Sequence, residues 1–334
     1  KKYVNLFVFV FMIGACLSQG RAQTKSAVSY KNPVVDIAMP DPTVIKAADG
    51  YFYVYATEST RNVPIMKSKD LVEWTYCNTA FTNKTRPRFE PKAGIWAPDI
   101  NYINGKYVLY YAMSVWGGEQ TCGIGVATAN SPQGPFTDHG KMFRSNEIGV
   151  QNSIDPSLLQ YEGRNYLVWG SFRGIYVIEL TADGLSIMSG AKKKRIAGTA
   201  FEAVYIHKHG DYYYMFASIG SCCQGVKSTY KVVVGRSKKV WGPYKDKTGK
   251  PMLKNGYSLV IGANDHFVGN GHGSQIIQDD AGQDWLLYHG FSRSTPENGR
   301  ILLLDQIKWD QEGWPYVEGG SPSYETQKAP VFNN

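Results

Sequence analysis

One pattern comes round five times in this chain. Each instance opens on an acid or a histidine, runs through a short apolar stretch to a Gly or polar turn, and ends in an aromatic-rich strand. The instances begin at Asp41 (DPTVIKAADGYFYVYATE), around Asp99 (APDINYINGKYVLYYAMS), at Asp155 (DPSLLQYEGRNYLVWGSF), at Glu202 (EAVYIHKHGDYYYMFASI) and at His272 (HGSQIIQDDAGQDWLLYHGF). Successive leading residues stand 58, 56, 47 and 70 positions apart. A hairpin repeat of about 40–50 residues, with insertions, is the signature of a β-propeller. The expected fold is therefore all-β, a five-bladed β-propeller over residues 31–325. In a closed ring, equivalent inner-strand positions face one axis. Asp41, Asp99, Asp155, Glu202 and His272 are thus expected to converge.

Composition agrees with one β domain. The 23 Tyr, 14 Phe and 8 Trp favour strands, and 35 Gly with 16 Pro supply turns. No long segment carries helical periodicity. Two outer turns, Ser131–Phe136 (SPQGPF) and Trp241–Tyr244 (WGPY), mark comparable places in their blades. Residues 1–23 read as a signal peptide: two lysines, an apolar stretch Val4–Ala15, then small residues. Cleavage after Ala22 gives a soluble exported protein, whereas Ile13-Gly14-Ala15-Cys16 allows a lipobox with a lipid on Cys16. The net charge of +8 falls by three, to +5, without Lys1, Lys2 and Arg21. That modest excess reads as a solvated surface, and Lys192–Arg195 reads as an exposed loop. Nothing resembles a nucleic-acid module. There is no CxxC, so neither a zinc site nor a redox motif is suggested. The adjacent Cys222 and Cys223 allow a vicinal bridge, free thiols, or bridges to Cys77 or Cys122.

Asp41, Asp155 and Glu202 carry the chemistry. Glycoside hydrolysis needs one protonated carboxyl for the leaving oxygen and one ionised carboxylate across the scissile bond. A third carboxylate nearby raises its neighbour's pKa by like-charge repulsion. An acid in an Asp-Pro turn is ordinary taken singly; three at equivalent repeat positions form a set. His272, flanked by glycines in GNGHGS, is expected at the axis, beside a cation or held water. Trp96 is placed to stack on a sugar face, and Asp99 is read as structural. HExxH and GxSxG are absent, which excludes zinc-protease and serine-hydrolase readings of those kinds.

These residues resemble the arabinanase branch of glycoside hydrolase family 43, over about Asp36 to Val317. The matching motifs are MPDPTVI, NSIDPS and FEAVYI. The resemblance makes Asp41 the general base, Asp155 the pKa-modulating acid and Glu202 the general acid of an inverting hydrolase. The stretch SCCQGVKSTYKVVVGRSKKVWGPYKDKTGKPML is similar to one typical of endo-acting α-1,5-arabinanases. GHGS implies a calcium or other cation facing His272. Substrate contacts carry over to Trp96, Gly117, Asn152, Ser171 and Phe172, and Arg300 in NGRILLLDQIKW matches an arginine near the site. Pro40 stands where His often precedes the base, Ser171-Phe172-Arg173-Gly174 lacks a Trp, and GHGS replaces GHNS. These departures bear on subsites rather than on the acids. The expectation is an exported, monomeric, endo-acting enzyme on arabinan, the side-chain polysaccharide of pectin. An exo-acting arabinofuranosidase or β-xylosidase on the same fold, a fructan hydrolase, and a non-catalytic sugar-binding propeller are the alternatives. The DP dipeptides lack the NDPNG and RDP contexts of fructan hydrolases, and a binder has no need of three acids.

Overall fold

The computed structural model describes residues 28–333. The expected signal peptide and Cys16 lie outside them. Five antiparallel sheets form the ring. Blade 1 runs outward through Thr43–Lys46, Phe52–Tyr55, Pro64–Ser68 and Thr75–Thr79. Blade 2 comprises Gly94–Ile103, Lys106–Ser114, Gly123–Ala129 and Thr137–Arg144. Blade 3 comprises Ser157–Tyr161, Arg164–Trp169, Ile175–Glu179 and Lys194–Ala197. Blade 4 holds Glu202–His209, Tyr212–Ile219, Lys231–Ser237 and Ser258–Ile261.

Blade 5 departs from the simple repeat. Its inner strand, Phe267–Gly271, precedes His272 instead of starting there, and the short strand Ile277–Gln278 pairs separately. Asp284–Ser292 and Ile301–Trp309 follow, and the outermost strand is the N-terminal Val35–Ala38. That segment therefore belongs to blade 5. Its pairing closes the ring, and Asn32 extends it: Leu304 N–H donates to Asn32 Oδ1 at 2.9 Å while Asn32 Nδ2 donates to Leu304 O at 2.9 Å. The C-terminal tail is a strap, with Gln327–Lys328 paired to Ser29–Tyr30 and Phe332 buried. Lys194 and Arg195, expected in a loop, open the outer strand of blade 3.

Hairpin chemistry is local. Ile103 pairs directly with Lys106 across Asn104-Gly105, whose φ values of 48° and 80° are those of a type I′ turn. The second strands are mostly aromatic and aliphatic because a neighbouring blade covers each face; Lys106–Ser114 is buried after its first residue. Five principal apolar clusters result, one at each blade junction. Tyr55, Ile65 and Tyr111 fill the junction of blades 1 and 2, and Phe52, Leu287 and Leu304 that of blades 5 and 1.

Candidate active site

The innermost segments of the five blades share a backbone feature. Asp41, Ala97, Asp155, Ala203 and His272 all have φ between 41° and 56°, a left-handed conformation uncommon outside Gly, Asn and Asp. This fixes the structural phase of the repeat. Asp41, Asp155 and His272 are equivalent, as expected, but Glu202 stands one residue before its blade's left-handed position and Asp99 two after. Asp99 consequently sits deeper in the axial channel, aligned with Thr43, Ser157, Tyr205 and Ser274. There it is buried and ties four blades together. It accepts from Leu158 N–H at 2.7 Å, Gln275 Nε2 at 2.8 Å and Thr43 Oγ1 at 3.4 Å. Burial raises its pKa to about 7.

All ten residues singled out as catalytic, substrate-binding or cation-facing line one cleft: Asp41, Trp96, Gly117, Asn152, Asp155, Ser171, Phe172, Glu202, His272 and Arg300. The cleft has a volume of about 720 Å³, within the range of about 300–1,000 Å³ for a small-molecule pocket, and it opens to solvent.

The acids have different surroundings. Asp41 Oδ1 accepts from Arg300 Nη1 at 2.7 Å and lies 3.2 Å from His272 Nδ1; Oδ2 accepts from Thr57 Oγ1 at 2.6 Å. Burial alone would raise the Asp41 pKa, but Arg300, His272 and these hydrogen bonds outweigh it and hold the carboxyl well below its usual range. Glu202 has no such cation bonded to it among the described residues. Burial raises its pKa, against the opposing hydrogen bonds from Ser171 and Tyr230. Ser171 donates Oγ–H to Glu202 Oε2 at 2.6 Å and is itself held by Asn152 Nδ2 at 2.9 Å. Asp155 accepts the Ala203 N–H at 3.1 Å; burial, with the charges of Glu202 and Asp41 adding to it, raises its pKa to about 8.

His272 is raised in pKa because the nearby carboxylates outweigh its burial. The glycine before it is required sterically: a β-carbon on Gly271 would lie 2.1 Å from the Tyr230 ring. Asp41 engages Nδ1 of His272, leaving Nε2 as the ring nitrogen for a cation. Gln275 is already spent on Thr43, Val44 and Asp99. Calcium takes about 6–8 oxygen ligands, so this donor set fits it only with water filling most of the sphere.

Several site residues escaped the sequence reading. His289 lies at 0 % exposure in a strand that reads as core, and its Nδ1 accepts the Asp41 N–H at 3.0 Å. Burial depresses its pKa to about 4, so the ring is neutral, as an acceptor must be. Tyr230 stacks on it, with centroids 5.7 Å apart. Trp116, 78 % exposed, stands 5.5 Å from Trp96 on the cleft wall. Its Trp-Gly-Gly context was the available signal. Cys222 and Cys223 are bonded to each other and also line the cleft, while Cys77 and Cys122 are free.

A propeller whose axial cleft holds one carboxyl with its pKa pushed down and another with its pKa pushed up has the make-up of an acid–base glycoside hydrolase. The chain belongs to the glycosyl hydrolases family 43, which its residues 30–315 match. It is 36% identical to the extracellular endo-α-(1→5)-L-arabinanase 1 of Bacillus subtilis, over 82% of this chain and 86% of that protein. It is also 36% identical to the extracellular exo-α-(1→5)-L-arabinofuranosidase of Cellvibrio japonicus, over 83% and 86%. Among solved structures, the Cellvibrio cellulosa α-L-arabinanase complexed with arabinohexaose superposes with a TM-score of 0.77 at 33% identity, covering 85% of this chain and 96% of that one.

Proposed function

We propose that this chain hydrolyses the α-1,5-L-arabinofuranosidic bonds of arabinan with inversion, cutting within the chain. Asp41 is the base that activates water, Glu202 the acid that protonates the leaving oxygen, and Asp155 the acid that sets the Glu202 pKa. The observation that carries this reading is the opposed electrostatics of two acids in one cleft: Asp41, bound to Arg300, has its pKa held well down, and Glu202, buried, has its pKa raised. Trp96, Gly117, Asn152, Ser171, Phe172 and Arg300 line the path of the substrate. Endo action is supported by the open cleft and by the Cys222-Cys223-Gln224 stretch on its wall. The extracellular relatives support action outside the cell.

Exo action is the second reading. The ion pair of Arg173 Nη2 with Glu119 Oε2, at 2.9 Å, draws together loops of blades 3 and 2 at the rim, where Glu119 lines the cleft. Such a bridge is suited to walling off a subsite. Incubation with debranched arabinan and chromatography of the early products decides between them. A ladder of oligomers supports endo action, arabinose alone supports exo action, and an unchanged polymer contradicts both.

Calcium beside His272 Nε2, otherwise ligated by water, is the cation that the site accommodates. Its positive charge would favour the ionised form of Asp155. Chelation followed by restoration with calcium is expected to lower and then recover activity. Activity indifferent to a strong chelator would contradict the cation.

A further inference from the structure

A second cluster of ligand-type side chains lies far from the cleft. Glu202–His209 runs away from Glu202, so His209, seven residues on, is about 23 Å along the strand at roughly 3.3 Å per residue. His207 and His209 are two apart in this strand and so project from the same face. Asp284, the first residue of Asp284–Ser292 in blade 5, meets them from across the blade junction. One ligand atom from each of the three lies within 4.8 Å of the others.

We propose that His207, His209 and Asp284 form a binding site for a divalent transition-metal ion, zinc foremost, that pins blade 4 to blade 5. Two imidazoles with one carboxylate are donors that zinc takes, with water completing a tetrahedron. Ligand atoms about 2.1 Å from a shared tetrahedral ion stand about 3.4 Å apart. His209 Nδ1 is 3.6 Å from Asp284 Oδ2, close to that spacing and too long for a hydrogen bond. Neither imidazole makes a side-chain hydrogen bond among the described residues, so their ring nitrogens remain available. The Asp284 side chain is 4 % exposed and that of His209 39 %, which gives a fixed carboxylate and a solvent-facing approach for the ion.

The surroundings have the character of a metal site's supporting shell. Trp309 Nε1 donates to Asp284 Oδ2 at 2.8 Å and Gln278 Nε2 to Oδ1 at 3.2 Å, which orients the carboxylate. The Trp309 ring lies flat against His209, with centroids 3.7 Å apart and planes at 9°, and nearly parallel to His207. Lys208, between the histidines, has its ammonium 5.4 Å from the Tyr213 ring centre.

The test is calorimetric titration of the chelator-treated full chain with zinc chloride in excess calcium, repeated with cobalt(II) to read the visible bands of four-coordinate cobalt. The expected result is one tightly bound zinc that calcium does not displace, and a zinc-dependent rise in Tm. His209→Gln, at a part-exposed position, should keep the apo Tm and the arabinan activity, yet weaken zinc at least about tenfold and abolish the cobalt bands. Asp284→Asn should weaken zinc similarly, while His272→Ala should retain the site. Absence of zinc binding by the parent chain would overturn the proposal. Undiminished binding in folded His209→Gln, or loss of the site in folded His272→Ala, would do the same.

Discussion

Ser171 donates its hydroxyl to Oε2 of Glu202 at 2.6 Å. This bond favours the ionised carboxylate, yet burial dominates and the Glu202 pKa remains raised. Ser171→Ala should therefore raise it further. An acid acts while protonated, so the basic limb of the kcat/KM–pH profile should move to higher pH. A limb that stayed in place or moved down would show that Glu202 is not the group being titrated.

Arg300 acts on the other limb. Asp41 must be ionised to activate water, and Arg300 is the principal cation holding its pKa down. Arg300→Gln should move the acidic limb toward neutral pH while leaving the basic limb near its place. Kinetic profiles of the parent and variant, measured at the same ionic strength, check this.

Roles separate further by rescue. Glu202→Gln and Asp41→Asn should each lower kcat on arabinan by about 10²–10⁴. An aryl arabinoside with a good leaving group needs little protonation, so it should partly restore Glu202→Gln and leave Asp41→Asn slow. Azide should help Asp41→Asn by replacing the activated water. The opposite pattern of rescue would exchange the two roles.

Asp155 makes a prediction about stability. Its pKa rises from 3.8 to about 8 on burial, so the folded state binds more protons than the unfolded state between those values. Its contribution is fully present below the unfolded pKa and is lost as pH rises through the folded one. Asp155→Asn removes that loss and retains an acceptor for the Ala203 N–H. Its Tm advantage over the parent, measured without calcium, should grow from about pH 4 to about pH 8. A pH-independent difference would contradict the raised pKa.

The blades and cleft were legible because aromatic strand pairs and Asn-Gly type turns carry local signals. Other parts were not. Val35–Ala38 closes the ring by pairing with Leu302 and Ile301, a contact between opposite ends of the chain that four residues of mixed burial do not advertise. Outer strands such as Thr75–Thr79 are largely exposed and polar, so they lack an apolar period. The repeat phase slipped at Asp99 and Glu202 because Ala97 and Ala203 occupy the left-handed positions; alanine gives no sign of that conformation. His289 reads as core because it lies within an aromatic strand; only the fold brings it against Asp41.

The assignment of Asp41 as a base is tested most directly by the anomeric form of the first product. A base activates water for attack from the opposite face, whereas a nucleophilic Asp41 would give a covalent intermediate and net retention. Proton NMR of early hydrolysis should show β-L-arabinofuranose at the newly formed reducing end before mutarotation brings in the α form. Appearance of the α anomer first would contradict the account.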